Sequence, residues 1–358
     1  MLDRRTLNRT LLARQSLLER VDADPLDMVE RLVGMQAQVP LDPYVGLWSR
    51  LRSFDPNELG EALLARRAVR MTFLRSTLHL VSSDDALRLR PLLQQMLERA
   101  FASSPFARAL DGVDLRPVLA GGSELLEQEP RTIAQLRDAL GAEWPACDAK
   151  ALAYAVRYLV PLVQITPRGV WGRTLQPTVT TLATWLDDRA GEVATADDLV
   201  LRYLRVFGPA TAADIRTWSW LTDIQRVLER LRPCLRAYKD EHGRTLFDVE
   251  DGVIAESDTP APVRLLPEYD NVFLSHADRS RIVNNVQWNS SFRNRGALLA
   301  DGFLAGAWKL TREKTHATLE INARTHISRQ QRADIRKEAQ ELLAFLSPDA
   351  ATQRLIWR

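Results

Sequence analysis

The sequence predicts an α+β chain, mainly helical, in which tandem winged helix-turn-helix units precede a small C-terminal β-barrel or antiparallel sheet. Three observations predict it. A pattern of helix, capped helix, amphipathic helix and hairpin recurs three times, strand-like segments take over beyond residue 255, and 46% hydrophobic with 26% charged content over 358 residues suits an ordinary globular protein. The boundaries follow as residues 1–120, 121–190, 191–255 and 256–358.

The first unit is the loosest. It runs from Leu7 through Leu51 and residues 59–64 to strands at 69–74 and 77–81. Within it an amphipathic run, residues 25–33, leads into Gly34-Met35-Gln36-Ala37-Gln38. In the second unit Thr132 opens a helix to Leu140, a second helix spans 148–158, and a hairpin passes through 163–166 and 169–173.

The third unit is the clearest. Residues 194–198 cap a helix over 199–207, Gly208-Pro209 breaks it, and Thr211 opens the next over 212–218. Thr222-Asp223 starts a further helix, with Ile224, Val227, Leu228 and Leu231 at helical spacing. Strands at 234–238 and 245–249 flank the turn Asp240-Glu241-His242-Gly243.

In the C-terminal region, residues 263–266, 271–274, 302–310 and 317–321 are strand-like, and the last two are joined through the charged tip Arg312-Glu313-Lys314-Thr315. A terminal helix over 329–345 closes the chain. Trp171, Trp288 and Trp308 are expected in the core.

Composition excludes several classes. The N-terminus interrupts every apolar stretch with charge, and no run approaches the roughly 18–20 apolar residues of a membrane span, so a cytoplasmic protein without a membrane partner is expected. Cys147, Cys234 and five scattered histidines show no metal-ligand spacing, so neither a metal, a disulfide nor a cofactor is expected. The charge is unevenly distributed: residues 278–337 hold twelve lysines and arginines against five acidic residues, while residues 240–270 hold nine acidic residues against two arginines. Such asymmetry suits a basic surface that meets a polyanion, with an acidic face turned away.

The most telling segment is Gly34-Met35-Gln36-Ala37-Gln38. Two amides beside a helix end must hydrogen-bond something, because an unpaired buried polar group costs roughly 1–3 kcal/mol. The partner could be backbone or a reacting water. Gln-x-Gln by itself does not decide between them.

Five segments together decide it by resemblance: Gly34-Met35-Gln36-Ala37-Gln38, the hairpin from Phe73 to Val81, Leu266-Pro267-Glu268-Tyr269-Asp270-Asn271, the run Ser275 to Arg281, and the run Asp301 to Trp308. In content and order they resemble the AlkZ-like family of winged-helix DNA glycosylases. The resemblance implies tandem winged-helix units with a C-terminal β-barrel in a C-shaped clamp around duplex DNA, excision of N7-alkylated purines, bulky adducts and crosslinks in some members, and a monomer. It assigns catalysis to Gln36 and Gln38. A second glutamine, rather than aspartate, is similar to the AlkZ-like branch more than to the YcaQ-like branch.

The residue type fits that chemistry. A guanine alkylated at N7 is cationic and already a good leaving group, so positioning water as oxocarbenium character develops is what remains, and amides do that by orientation. Glutamine is no general base at neutral pH. Arg75, Thr77 and His79 alternate with Leu74, Leu78 and Leu80 and so share one polar strand face, as support or DNA contacts. Arg279 and Arg281 are candidates for backbone contact, an internal pair with Asp278 or Glu268 being the alternative. Lys309, Arg312 and Lys314 surround a hairpin tip that the resemblance directs toward the minor groove, where phosphate contacts make binding salt-sensitive. The competing reading is a winged-helix transcriptional regulator without catalysis.

Overall fold

The computed structural model describes every residue except 188, 190 and 285–292. Helices account for 44% of the chain and strands for 19%, so the α+β expectation holds. Trp288 lies outside the described residues.

The helices begin where their caps dictate. Thr132, Thr195, Thr211 and Ser328 each accept from a backbone N–H three residues on, and the side chain at that position reaches back to the cap, opening Ile133–Glu143, Ala196–Phe207, Ala212–Ser219 and Arg329–Leu346. The third unit follows its expected order of Ala196–Phe207, Ala212–Ser219 and Ile224–Leu231, then the antiparallel strands Leu235–Lys239 and Thr245–Val249.

Two five-stranded sheets organise the remainder. In the first, the order is Met35–Gln36, Leu78–Ser82, Ala68–Thr72, Leu162–Gln164 and Val179–Thr181, every pairing antiparallel. The partner of Leu162–Gln164 is thus Val179–Thr181 and not residues 169–173. Gly169 and Gly172 take left-handed φ of 91° and 68°, which turns the chain where an extended strand was expected. Tyr44 Oη donates to the Gly169 carbonyl at 2.7 Å and holds that turn against the first helical layer.

The C-terminal sheet has the order Thr352–Trp357, His316–Ala323, Phe303–Glu313, Gly296–Ala300 and Arg264–Leu266. It is an open sheet rather than a closed barrel. Its last strand pairs parallel because the helix Arg329–Leu346 carries the chain back along the sheet before Thr352. Residues 271–274 form a helical turn and not a strand, since Asp270 accepts from the Val272 N–H and caps it.

A large core joins residues from Leu11 to Ala307, including Phe73, Tyr203, Phe207 and Phe273. A second fills the space between the C-terminal sheet and Arg329–Leu346, and a third lies among Leu115–Gln128, Ile133–Glu143 and Ala149–Leu159. Trp308 belongs to the second core and donates from Nε1 to the Leu266 carbonyl at 2.9 Å.

Candidate functional site at the edge of the first sheet

After the helix Pro25–Arg31, Val33 and Gly34 adopt φ of 55° and 88° and swing the chain onto the sheet edge. A Cβ at Gly34 would lie 2.7 Å from Val81 Cγ1 and 3.2 Å from the Leu80 carbonyl oxygen, and with φ at 88° glycine is what fits this turn onto the sheet edge. Met35–Gln36 then pairs with Leu78–Ser82, with Gln36 directly opposite His79.

Three further bonds clamp the segment. Asn271 Nδ2 donates to the Gly34 carbonyl at 3.0 Å, the Ala37 N–H donates to the Leu78 carbonyl at 2.8 Å, and Arg70 Nη2 donates to the Ala37 carbonyl at 2.7 Å. The backbone of Gly34 and of Ala37, the residue between the two glutamines, is therefore fixed from the core side. The side chains differ: Gln36 is 7% exposed and Gln38 is exposed. One amide is anchored inside and the other faces out.

Thr77 Oγ1 lies 3.4 Å from Gln36 Oε1, the long contact of a weak donor. His79 Nδ1 is 3.0 Å from the Thr77 carbonyl, so this nitrogen carries the proton and donates. Its Nε2 accepts from Arg75 Nη2 at 3.4 Å, and Arg75 Nη1 donates to the Trp218 carbonyl at 3.0 Å. Burial, with the Arg75 charge beside it, pushes the His79 imidazole down to about 3, so it is neutral at physiological pH. Burial, with Arg279 nearby, pushes Arg75 down to about 10, where it keeps its charge.

A second feature follows Gln38 by one turn. Asp42 opens the helix Asp42–Trp48, and its Oδ2 has no hydrogen-bond partner among the described residues. Burial and the carboxylates of Glu268 and Asp270 push this carboxyl up to about 8, so it is mostly protonated at pH 7. Asp270 itself is held by Arg50, whose two terminal nitrogens reach its two oxygens at 2.8 Å. A cleft of about 470 Å³ runs from Val39 and Asp42 past Glu268 to Trp308, Lys309 and Arg312. It connects the glutamine segment to the charged hairpin.

The remaining sequence candidates separate into two groups. Arg281 is buried, donates to the Pro209 carbonyl at 3.1 Å and shares the interior with Asp214 and His276. Asp278 is paired with Arg244 at 2.8 Å. Arg279, Lys309, Arg312 and Lys314 are exposed, and Lys314 sits at the tip between Phe303–Glu313 and His316–Ala323 with φ 39°. Sequence reasoning missed Arg70, Asn271 and Asp42 as site residues. Asn271 closes the family-like run Leu266–Asn271, whereas nothing local marks Arg70 or Asp42. Among the described residues no group of three or more His, Cys, Asp or Glu side chains is arranged to hold a metal ion.

This fold and this edge-strand segment define a class. The chain belongs to the DNA glycosylase AlkZ-like family, whose sequence model matches residues 29–345. DNA is therefore its substrate, and hydrolysis of N-glycosyl bonds its class of reaction. Its fold is that of the Streptomyces sahachiroi DNA glycosylase AlkZ, with a TM-score of 0.73 and 19% identity over 99% of this chain and 98% of that one. No curated protein matches the chain. Family membership favours the enzyme over the regulator. Among the described residues no helix is long and apolar enough to cross a membrane.

Proposed function

We propose that this chain is a monofunctional glycosylase that excises N7-alkylated purines from duplex DNA, with water positioned by Gln36 and Gln38. The observation that carries the reading is electrostatic. Among the described residues, the hydrogen-bond network reaching Gln36 through Thr77 holds, besides the charged Arg75, one titratable side chain, His79, and burial holds it neutral. A site with amides and a neutral imidazole needs a base that leaves unaided.

The chemistry balances without a protein acid. The C1′–N9 bond breaks with its electron pair going to N9, which cancels the positive charge of the alkylated ring. Water oxygen bonds C1′, and its proton passes to solvent. Gln36, anchored from the core side, orients the water, and exposed Gln38 meets the nucleotide. Arg75, Thr77 and His79 act as support for Gln36. Lys309, Arg312 and Lys314 contact phosphates, Arg279 lies on the same accessible surface as an additional contact, and Arg281 acts from the interior as a positioning residue. The division at residues 120, 190 and 255 into three winged units and a terminal sheet, a monomeric state and a cytoplasmic location complete the proposal.

The test is base release from a duplex holding one N7-methylguanine, with N3-methyladenine, a bulky N7 adduct and a crosslink for comparison. Wild type should release the methylguanine, and Gln36→Ala with Gln38→Ala should lose at least about 100-fold in rate, the order of one lost electrostatic donor, while keeping its thermal transition. Failure of wild type on every N7 adduct would sink the reading. Gln38→Asp should stay active, since a carboxylate there also orients water.

A further inference from the structure

An open cavity of about 790 Å³, reached from the glutamine site through Arg75, is lined by Arg75, Ser76, Arg99, Arg216, Trp220 and Asp223 among others. Pockets of about 300–1,000 Å³ are those that hold a ligand of drug size. Three guanidiniums against one carboxylate make its lining cationic.

Trp220 is the sole exposed aromatic residue among the described residues. An exposed tryptophan calls for a reason. Its backbone is held: the main-chain N–H donates to the Arg216 carbonyl at 2.8 Å, and the main-chain carbonyl accepts from Arg99 Nη2 at 3.1 Å. Four non-glycine residues of the lining have left-handed backbones, Arg75 at φ 54°, Ser76 at 55°, Trp220 at 56° and Asp223 at 57°. Backbone strain gathered around one cavity is the mark of a functional surface. The Ser76 hydroxyl is buried there without a partner among the described residues.

We propose that this cavity is a subsite for one unstacked nucleotide of the bound DNA. The base stacks on Trp220, as bases do on aromatic platforms regardless of sequence. Exposed Arg99 and Arg216 take its phosphate, and the Asp223 carboxylate accepts from amino groups on the base edge. Arg75 joins the subsite to the catalytic strand, because the same guanidinium bonds the Trp218 carbonyl and His79 opposite Gln36. The inference rests on the DNA-acting reading above and adds a place where a displaced nucleotide goes.

The experiment uses the whole chain and photochemical crosslinking with 5-iodouracil, which reacts with a stacked aromatic side chain. One duplex carries 5-iodouracil opposite a tetrahydrofuran abasic analogue, and a second carries it at the lesion position in otherwise matched sequence. The expected result is a covalent adduct mapped to Trp220 with one of the two, which also says whether the lesion nucleotide or its partner is displaced. Trp220→Gly, chosen because glycine suits φ 56°, should weaken binding to the reporting duplex about ten-fold, the order of one base–aromatic stack, and Trp220→Phe should restore most of it. A duplex that binds wild type yet gives no Trp220 adduct in either arm overturns the subsite and leaves the glycosylase reading standing. Unchanged affinity of Trp220→Gly also overturns it. Absence of any duplex binding by wild type overturns the DNA reading and the subsite together.

Discussion

Asn271 donates from its side-chain amide to the carbonyl of Gly34 at 3.0 Å, across 237 residues of sequence. A second, longer bond at 3.4 Å reaches the Leu32 carbonyl. The end of the Pro25–Arg31 helix and the start of the glutamine segment are thereby tied to the C-terminal region. Asn271→Ala leaves buried carbonyls without a donor, a loss of about 1–3 kcal/mol. Base release should fall by about ten-fold or more as Gln36 loses its anchor, since small misplacements of positioning groups are costly, while duplex affinity stays near wild type. Single-turnover rates set beside fluorescence anisotropy separate the two effects.

Asp270 neutralises Arg50 in the interior, and both side chains are almost fully buried. Asp270→Ala strands the guanidinium and removes the cap on Val272. Breaking a buried pair from one side costs about 3–5 kcal/mol. Urea unfolding should report a loss of that size, and a double change of Arg50→Met with Asp270→Leu should recover much of it.

His79 titrates far below its ordinary value because it is buried beside Arg75. Its unfolded form takes a proton near pH 6.5 and its folded form only near pH 3. Stability is therefore whole above pH 6.5 and lost progressively as the pH falls toward 3. His276 is depressed by burial and by Arg281 and adds to the same loss. Thermal melts from pH 8 to pH 4 should show the decline, and His79→Gln should flatten it. The rate of base release should show no inflection from His79 near pH 6.5.

Asp42 behaves in the opposite sense. Its folded carboxyl titrates near 8 and its unfolded form near 3.8. The stability it lends is complete below pH 3.8 and declines as the pH rises toward 8. Asp42→Asn should melt higher than wild type at pH 8 and show little difference at pH 4. Equal melting of the two proteins at pH 8 would mean that this carboxyl is charged in the fold.

Lys309, Arg312 and Lys314 project from the Phe303–Glu313 and His316–Ala323 hairpin. If each neutralises one phosphate, each alanine substitution lowers the slope of log affinity against log salt by about 0.9. Anisotropy titrations between low and moderate salt read that slope directly. An unchanged slope in the triple variant would remove the hairpin from the interface.

Much of this architecture was legible locally. Capping threonines at 132, 195 and 211 marked helix starts, and the Ile224, Val227, Leu228 and Leu231 spacing matched Ile224–Leu231. The hairpin between Ala68–Thr72 and Leu78–Ser82 was legible, but Arg75 shares no strand face with Thr77 and His79: residues 74–76 form a tight turn with Arg75 at φ 54°. Residues 169–173 and 271–274 were misread because a glycine turn and an aspartate-capped helical turn carry the same short apolar patterns as a strand. Strands Gly296–Ala300 and Thr352–Trp357 went unassigned.

The sequence by itself marked the candidate site, two glutamines around an alanine, and the helices whose caps are written into adjacent residues. Capping and periodicity act over a few residues, so the chain states them in order. Only the tertiary structure decided that Gln36 is inside while Gln38 is out, that Asn271 and Arg70 clamp the segment between them, that Asp42 is forced toward its neutral form, and that Trp220 faces outward beside three arginines. Those outcomes come from desolvation and from contacts between segments up to 237 residues apart. Neither has a local signature, because burial belongs to the packed chain and not to any stretch of it.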